Sequence, residues 1–222
     1  MIDKLYYLPV NDSFDDEIFR WLFSSVSVNK QKQVIKLNNV ISKKLTLYAE
    51  VLIRIIACND LGVQNTEITF LRNKYGKPKI SEYPEYHFNI SHTNKCIIAA
   101  FSNYPIGVDI EKVSKPDIRI AERFFTAAEL KHILRQDSGQ NERFYEIWTK
   151  KEAYIKYLGK GFFMPLSSFN VLSKDLSVYI SNIRKEDYMI SVCSENQNYS
   201  IYDLTEEKFY DLAKKSFEAY LQ

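Results

Sequence analysis

The chain has 222 residues, 45% of them apolar, and its 16 Tyr and 14 Phe suffice to fill the core of one large domain or two small ones. Its 30 basic and 28 acidic residues leave a formal charge of +2, so bulk charge argues for neither nucleic acid nor membrane as a partner, and any cationic site has to be local. No apolar run approaches membrane-spanning length, the start Met-Ile-Asp-Lys lacks a signal-peptide pattern, and Cys58, Cys96 and Cys193 are too few and scattered for a disulfide framework or a metal knuckle. These features predict a soluble cytoplasmic protein with reduced core thiols.

In chain order, a strand is expected at Leu5 to Pro9, then a Lys/Gln/Asn-rich helical stretch from about Lys30. A stronger helix follows from Lys44 to about Asn59, ending near Gly62. Beyond it come β-like Ile68 to Leu71, a turn at Tyr75-Gly76-Lys77-Pro78, an alternating strand from Tyr86 to Ile90 with Ser91-His92 at its end, and Cys96 to Phe101. The second half opens near Tyr104 with an acidic strand. Helices are predicted at Ile118 to Phe124, Ala127 to Leu134 and Glu142 to Leu158, strands at Phe169 to Leu172, Ser177 to Ile180 and Met189 to Cys193, and a last helix at Glu206 to Leu221. The order helix, Gly-Lys turn, strands occurs twice, at Leu45 to Lys77 and at Phe144 to Lys160. This faint repeat divides the chain into residues 1–103 and 104–222, and a ligand site is expected between the halves.

Chemistry concentrates in two stretches. In Gly107-Val108-Asp109-Ile110-Glu111 a strand would bury Val108 and Ile110 and put Asp109 and Glu111 on the opposite face, where they form either a solvated surface or a pair of hard oxygen donors suited to Mg²⁺. In the helix containing Trp148-Thr149-Lys150-Lys151-Glu152-Ala153-Tyr154-Ile155-Lys156, Glu152 and Lys156 are neighbours one turn apart, an ordinary ion pair or a third acid with its cation. Lys151 falls inside the apolar stripe of Phe144, Ile147, Trp148, Ile155 and Leu158. A buried ammonium there needs an anion to point at. The Ser91-His92 pair is either a turn or a place where an anion is met. Thr126 and Glu129 have capping-box spacing, which keeps Glu129 out of the catalytic set. His87 and His132 lack any ligand cluster and are read as structural, and no Walker A or dinucleotide fingerprint opens a helix, so ATP and NAD are poor candidates.

Four segments taken in order resemble the signature of the Sfp-type 4'-phosphopantetheinyl transferases. They are Phe88-Asn89-Ile90-Ser91-His92, Gly107 to Glu111, Phe124-Phe125-Thr126-x-x-Glu129, and Trp148-x-x-Lys151-Glu152-Ala153-x-x-Lys156-x-x-Gly159-Lys160-Gly161. The resemblance is clear from about Thr46 to Phe169 and weaker on either side. It implies an α+β fold of two similar subdomains related by a pseudo-two-fold axis, with coenzyme A in the cleft between them. It also implies transfer of 4'-phosphopantetheine to a serine of an apo acyl, peptidyl or aryl carrier protein, with release of adenosine 3',5'-bisphosphate.

Carried onto this chain, the resemblance makes Asp109, Glu111 and Glu152 the Mg²⁺ ligands. Glu152, Lys156 and Lys151 become the catalytic residues, with Glu152 or a metal-bound water as base, and a carboxylate so placed is expected to be ionised at neutral pH. Lys30, Thr46, Lys77, Ser91 and His92 become coenzyme A contacts: Lys30 and His92 at the 3'-phosphate, Ser91 near the diphosphate, Lys77 beside the adenine nucleotide. A second family lysine falls on Gln33, so that either Lys32 or Lys36 replaces it or the 3'-phosphate is held with one charge fewer. The carrier is expected to dock near Phe124 to Leu134, and a monomer is expected because one chain supplies the whole site. Two other readings use the same acids: a magnesium-dependent nucleotide-diphosphate hydrolase, and a carrier-binding module without activity.

Overall fold

Alternation sets the first strand. In β1 (Asp3–Pro9) the buried side chains Asp3, Leu5 and Tyr7 alternate with the half-buried Lys4 and Tyr6. The computed structural model describes residues 3–135 and 138–218; the predicted last helix is described to Glu218, and its expected end at Leu221 lies outside the described residues. Helices α1 (Asp16–Ser24), α2 (Val28–Ile35) and α3 (Val40–Leu61) follow, then a hairpin of β2 (Phe70–Arg72) and β3 (Pro78–Ile80), then β4 (His87–Thr93), β5 (Cys96–Ser102) and β6 (Ile106–Lys112). The second half adds α4 (Ile118–Phe124), α5 (Ala127–Ile133), α6 (Gln140–Leu158), β7 (Tyr179–Lys185), β8 (Tyr188–Ser194), β9 (Tyr199–Asp203) and α7 (Glu206–Glu218).

The strands form a four-stranded sheet in the order β4-β5-β1-β9, the β2-β3 hairpin, and a three-stranded sheet in the order β6-β8-β7. All seven residues of β5 are buried because its two faces serve different cores. Ile97, Ala99 and Phe101 join the core under α3, whereas Cys96, Ile98 and Ala100 pack with Leu5 and Tyr7 against Ile106, Val108, Ile110, Ile190 and Val192 of the second sheet. The result is layered: α3, first sheet, second sheet, α6. The mixed helix and sheet content makes the fold α+β, and no helix among the described residues is long and apolar enough to cross a membrane.

Helix ends follow local chemistry. Asn39 caps α3 by accepting from the Ser42 amide, and Gly62, at φ 67°, closes it in the left-handed conformation that glycine adopts without a Cβ penalty. The Thr126–Glu129 capping box is present at the start of α5.

Three expectations change. Residues 169–172 are not a strand; they follow a short 3₁₀ turn, and the Val171 amide is satisfied by the Glu129 carboxylate. Ser91 and His92 are not in a turn, because β4 continues to Thr93 and pairs with β5 throughout. The segment after Tyr199 does not stay with the second half: β9 lies parallel to β1, Leu5 opposite Ile201, and α7 packs on α3. There the buried Lys44 ammonium meets Glu206 at 2.8 Å.

Candidate active site

Edge strands β4 and β6 lie side by side, joined by side chains rather than by a backbone ladder. Asn89 Oδ1 accepts from the Val108 amide at 2.8 Å, Ser91 Oγ donates to Asp109 Oδ1 at 2.8 Å, and Thr93 Oγ1 donates to Glu111 Oε2 at 3.0 Å. The face of β6 that bears Asp109 and Glu111 is covered by α6 instead of water, which leaves Asp109 only 4% exposed. Gly107 permits this close cover: a Cβ there would lie 2.0 Å from the Ala153 carbonyl oxygen and 2.4 Å from the Tyr157 nitrogen. Backbone against backbone, α6 sets Lys156 Nζ 2.6 Å from Asp109 Oδ1 and 2.8 Å from Ser91 Oγ.

The electrostatics show how crowded these acids are. Burial, then Asp109 and Glu111, push Glu152 up to about 7, with Lys156 opposing. Without a cation Glu152 is therefore only partly ionised at neutral pH, while the ionised state expected of it belongs to the carboxylate beside Mg²⁺. Burial and Asp109 also raise Glu111, against hydrogen bonds from Thr93 and Trp148. Among the described residues no three His, Cys, Asp or Glu side chains form a preassembled metal cage. Even so, Asp109 Oδ2 is buried without a hydrogen-bond partner, an acceptor that a divalent cation would satisfy, and the donors around it are hard oxygens of the kind Mg²⁺ takes.

Two cavities have Pro78 in their linings. The smaller, about 240 Å³, is bounded by Glu152, Lys156, Asn89 and Lys77. The larger, about 910 Å³, lies between α2, α3 and the β2-β3 hairpin, with Phe88 and Ile90 on its wall and Lys30, Lys32, Lys36 and Arg72 around it. Gln33 also lines it, between Lys32 and Lys36, so both lysines that were weighed against a site with one charge fewer are at hand. Burial lowers Lys30, Glu50 opposing and Arg72 adding to the effect. His92 is lowered by lost hydration, then by Lys156 and Lys30, which favours the neutral imidazole.

Not every candidate residue reaches this place. Lys151 is a correction: its ammonium is 0% exposed inside the α4–α6 core, 2.8 Å from Glu129 Oε2, and donates to the Leu166 and Phe169 carbonyls at 2.7 Å each. It does point at an anion, but that anion is structural, and none of these partners is one of the site acids. Lys77 donates to the carbonyls of Ile106, Lys156 and Tyr157 at 3.0, 2.6 and 3.2 Å, which ties the hairpin to the end of α6, and burial lowers it to about 8. Thr46 is half-buried on α3 and is not among the residues lining the larger cavity, although Ala49, Glu50 and Ile53 on the next turns are. Sequence reasoning missed Thr93 and Arg72. The polar alternation Asn89, Ser91, Thr93 was the available signal for the first, since period-2 spacing puts all three on one face.

Comparison with known proteins identifies the family. A family model described as "4'-phosphopantetheinyl transferase superfamily" matches residues 105–209, and one described as "4'-phosphopantetheinyl transferase, N-terminal" matches residues 14–103. The chain is 41% identical over 172 residues to 4'-phosphopantetheinyl transferase gsp of Aneurinibacillus migulanus, covering 76% of this chain and 70% of that one. It is 35% identical over 169 residues to 4'-phosphopantetheinyl transferase Sfp of Bacillus subtilis, covering 76% and 75%. It is 26% identical over 197 residues to the L-aminoadipate-semialdehyde dehydrogenase-phosphopantetheinyl transferase of Mus musculus, covering 81% and 64%. The class is therefore that of a transferase. The chain belongs to the 4'-phosphopantetheinyl transferase superfamily, in its Sfp-type branch.

Proposed function

We propose that this protein transfers the 4'-phosphopantetheine group of coenzyme A to a serine of an apo acyl, peptidyl or aryl carrier protein. The bond formed joins the serine oxygen to the pantetheine-side phosphorus, and the bond broken is the diphosphate bridge, so that adenosine 3',5'-bisphosphate leaves. One observation carries the reading: Asp109, Glu111, Glu152 and Lys156 crowd together where α6 covers β6, and Glu152 and Lys156 line a small cavity that shares Pro78 with a larger one bearing a cationic rim. The larger cavity suits the nucleotide, with Lys30, Lys32 and Lys36 in its lining to meet phosphate charge. The smaller cavity lies between residues of an N-terminal half, 1–103, and of a C-terminal half that begins at residue 104, whereas the residues lining the larger one all belong to the first half.

Asp109, Glu111 and Glu152 are the residues that would hold Mg²⁺, which when bound supplies charge neutralisation on the diphosphate. The chain's own residues account for the rest. Lys156 presents its ammonium to the same region, held by Ser91 and Asp109, so the cation is oriented before substrate arrives. Glu152 or a metal-bound water beside it would accept the serine proton, the bound cation keeping the carboxylate ionised. Lys77 and the hairpin keep the end of α6 in place. The three cysteines are buried and unpaired, as fits a reducing cytoplasm, and one chain carries the whole site, as fits a monomer.

Intact-protein mass spectrometry tests the reading. A purified apo carrier protein incubated with this protein, coenzyme A and Mg²⁺ should gain one phosphopantetheinyl group on its serine, and EDTA should abolish the gain. Failure across acyl, peptidyl and aryl carriers, with coenzyme A hydrolysed instead, would sink it.

A further inference from the structure

Along β4, Asn89, Ser91 and Thr93 occupy alternate positions, and each places a polar side chain against β6. Asn89 secures the Val108 amide, and Ser91 is shared between Asp109 and Lys156. Thr93 has a single side-chain task, the hydrogen bond to Glu111 Oε2. Its position is rigid: it is the last residue of β4, paired with Cys96 across the turn at Asn94, whose φ of 45° makes the reversal tight. As a β-branched residue in a strand it has few χ1 choices, so its hydroxyl direction is settled by the backbone. Glu111, by contrast, is a half-buried, unbranched side chain near the end of its strand, with Trp148 on α6 as a second hydrogen-bond donor to its carboxylate.

We infer that Thr93 is the positioning residue for Glu111: by holding Oε2 it fixes the carboxylate plane and leaves Oε1 directed to a divalent cation. The inference rests on the cation-binding reading given above and deepens it. Without the hydroxyl, Glu111 would have to be ordered each time a cation binds, at a cost in side-chain entropy. Hydrogen-bond partners behind metal-ligating carboxylates act in this way, and their removal typically weakens metal affinity by about 10-fold or more.

The test is a Mn²⁺ titration followed by electron paramagnetic resonance of the unbound ion, at saturating coenzyme A and with no carrier protein, so that no turnover enters the readout. Thr93→Val, which keeps the branched shape and removes the hydroxyl, should weaken Mn²⁺ binding about 10-fold. Thr93→Ser should return it to near the parental value, and the affinity for coenzyme A at saturating Mn²⁺ should stay unchanged in both. Glu111→Gln is the control that separates the two claims. If Glu111→Gln weakens Mn²⁺ binding but Thr93→Val does not, the role of Thr93 is overturned and the cation site stands. If neither variant changes it, the cation reading itself is overturned. Should Thr93→Val not fold, Thr93→Ala takes its place; loss of the fold in both would make Thr93 structural and would equally overturn the inference.

Discussion

Glu152 shows how burial and like charge act together on one residue. Its carboxyl is raised to about 7 from a reference of 4.5, first by burial and then by Asp109. Between those values the folded, metal-free protein binds more protons than the unfolded chain, so stability is present at low pH and falls as pH rises from about 4.5 to about 7. The fall should be on the order of 2–3 kcal/mol. Glu152→Gln should flatten that slope and be the more stable protein at pH 8. Urea unfolding in EDTA across this range measures it, and a variant that keeps the parental slope would remove the effect from Glu152. Lys151 makes the opposite case, a charge whose work is wholly structural. Replacing it by Met leaves the Glu129 carboxylate buried and uncompensated between the Thr126 and Val171 amides. Lys151→Met should therefore cost about 3–5 kcal/mol in denaturant unfolding while the KM for coenzyme A stays close to parental. A raised KM at unchanged stability would return Lys151 to the substrate.

The approach of α6 to β6 governs the site at the scale of elements, because two turns of that helix carry Glu152 and Lys156 over the acids of the strand. Gly107 sits under those turns, and the atoms nearest its missing Cβ are backbone, which cannot rotate aside. Gly107→Ala should lift α6, destabilise the fold by at least the 1–3 kcal/mol typical of overpacking, and lower kcat by about 100-fold through misplaced groups. Unfolding curves and turnover measured on the same preparation check both effects. How well the elements could be read from the sequence follows from their signals. Helices α4, α5 and α6 were legible because apolar period and caps agreed, Thr126 and Glu129 above all. Residues 169–172 misled because an apolar run looks the same whether its amides bond to a strand or, as here, to a buried carboxylate. β9 escaped notice because each of its partners in β1 lies 196 residues away, beyond any local pattern. That Asp109, Glu111, Glu152 and Lys156 lie close together was legible from charge spacing and resemblance taken together. That Lys151 needed an anion was legible too; that Glu129 was the anion required the fold.

At the scale of the whole molecule, the question is whether the two halves behave as one body. The face of β5 that meets the second sheet is as apolar as the face that meets α3, and β9 and α7 return from the second half to close the first. A clasp secures that return. Lys44 on α3 donates to the Asn11 and Ser13 carbonyls and to Glu206 on α7, all within 2.9 Å, at 1% exposure. Breaking such a pair from one side leaves a buried charge, so Lys44→Met should cost about 3–5 kcal/mol. The chain has two tryptophans, one in each half: Trp21 packs near Phe217 between α1 and α7, and Trp148 stacks with Phe144 in the second core. In Trp21→Phe and Trp148→Phe backgrounds the remaining indole reports one core alone. If the sheet-to-sheet interface couples the halves, Lys44→Met should shift the urea midpoint seen by Trp148 as far as that seen by Trp21, although Trp148 belongs to the other core. A shift confined to the Trp21 signal would show two independently folding units, and the cleft between them would then depend on bound substrate, rather than on the shared apolar interface, to keep its shape.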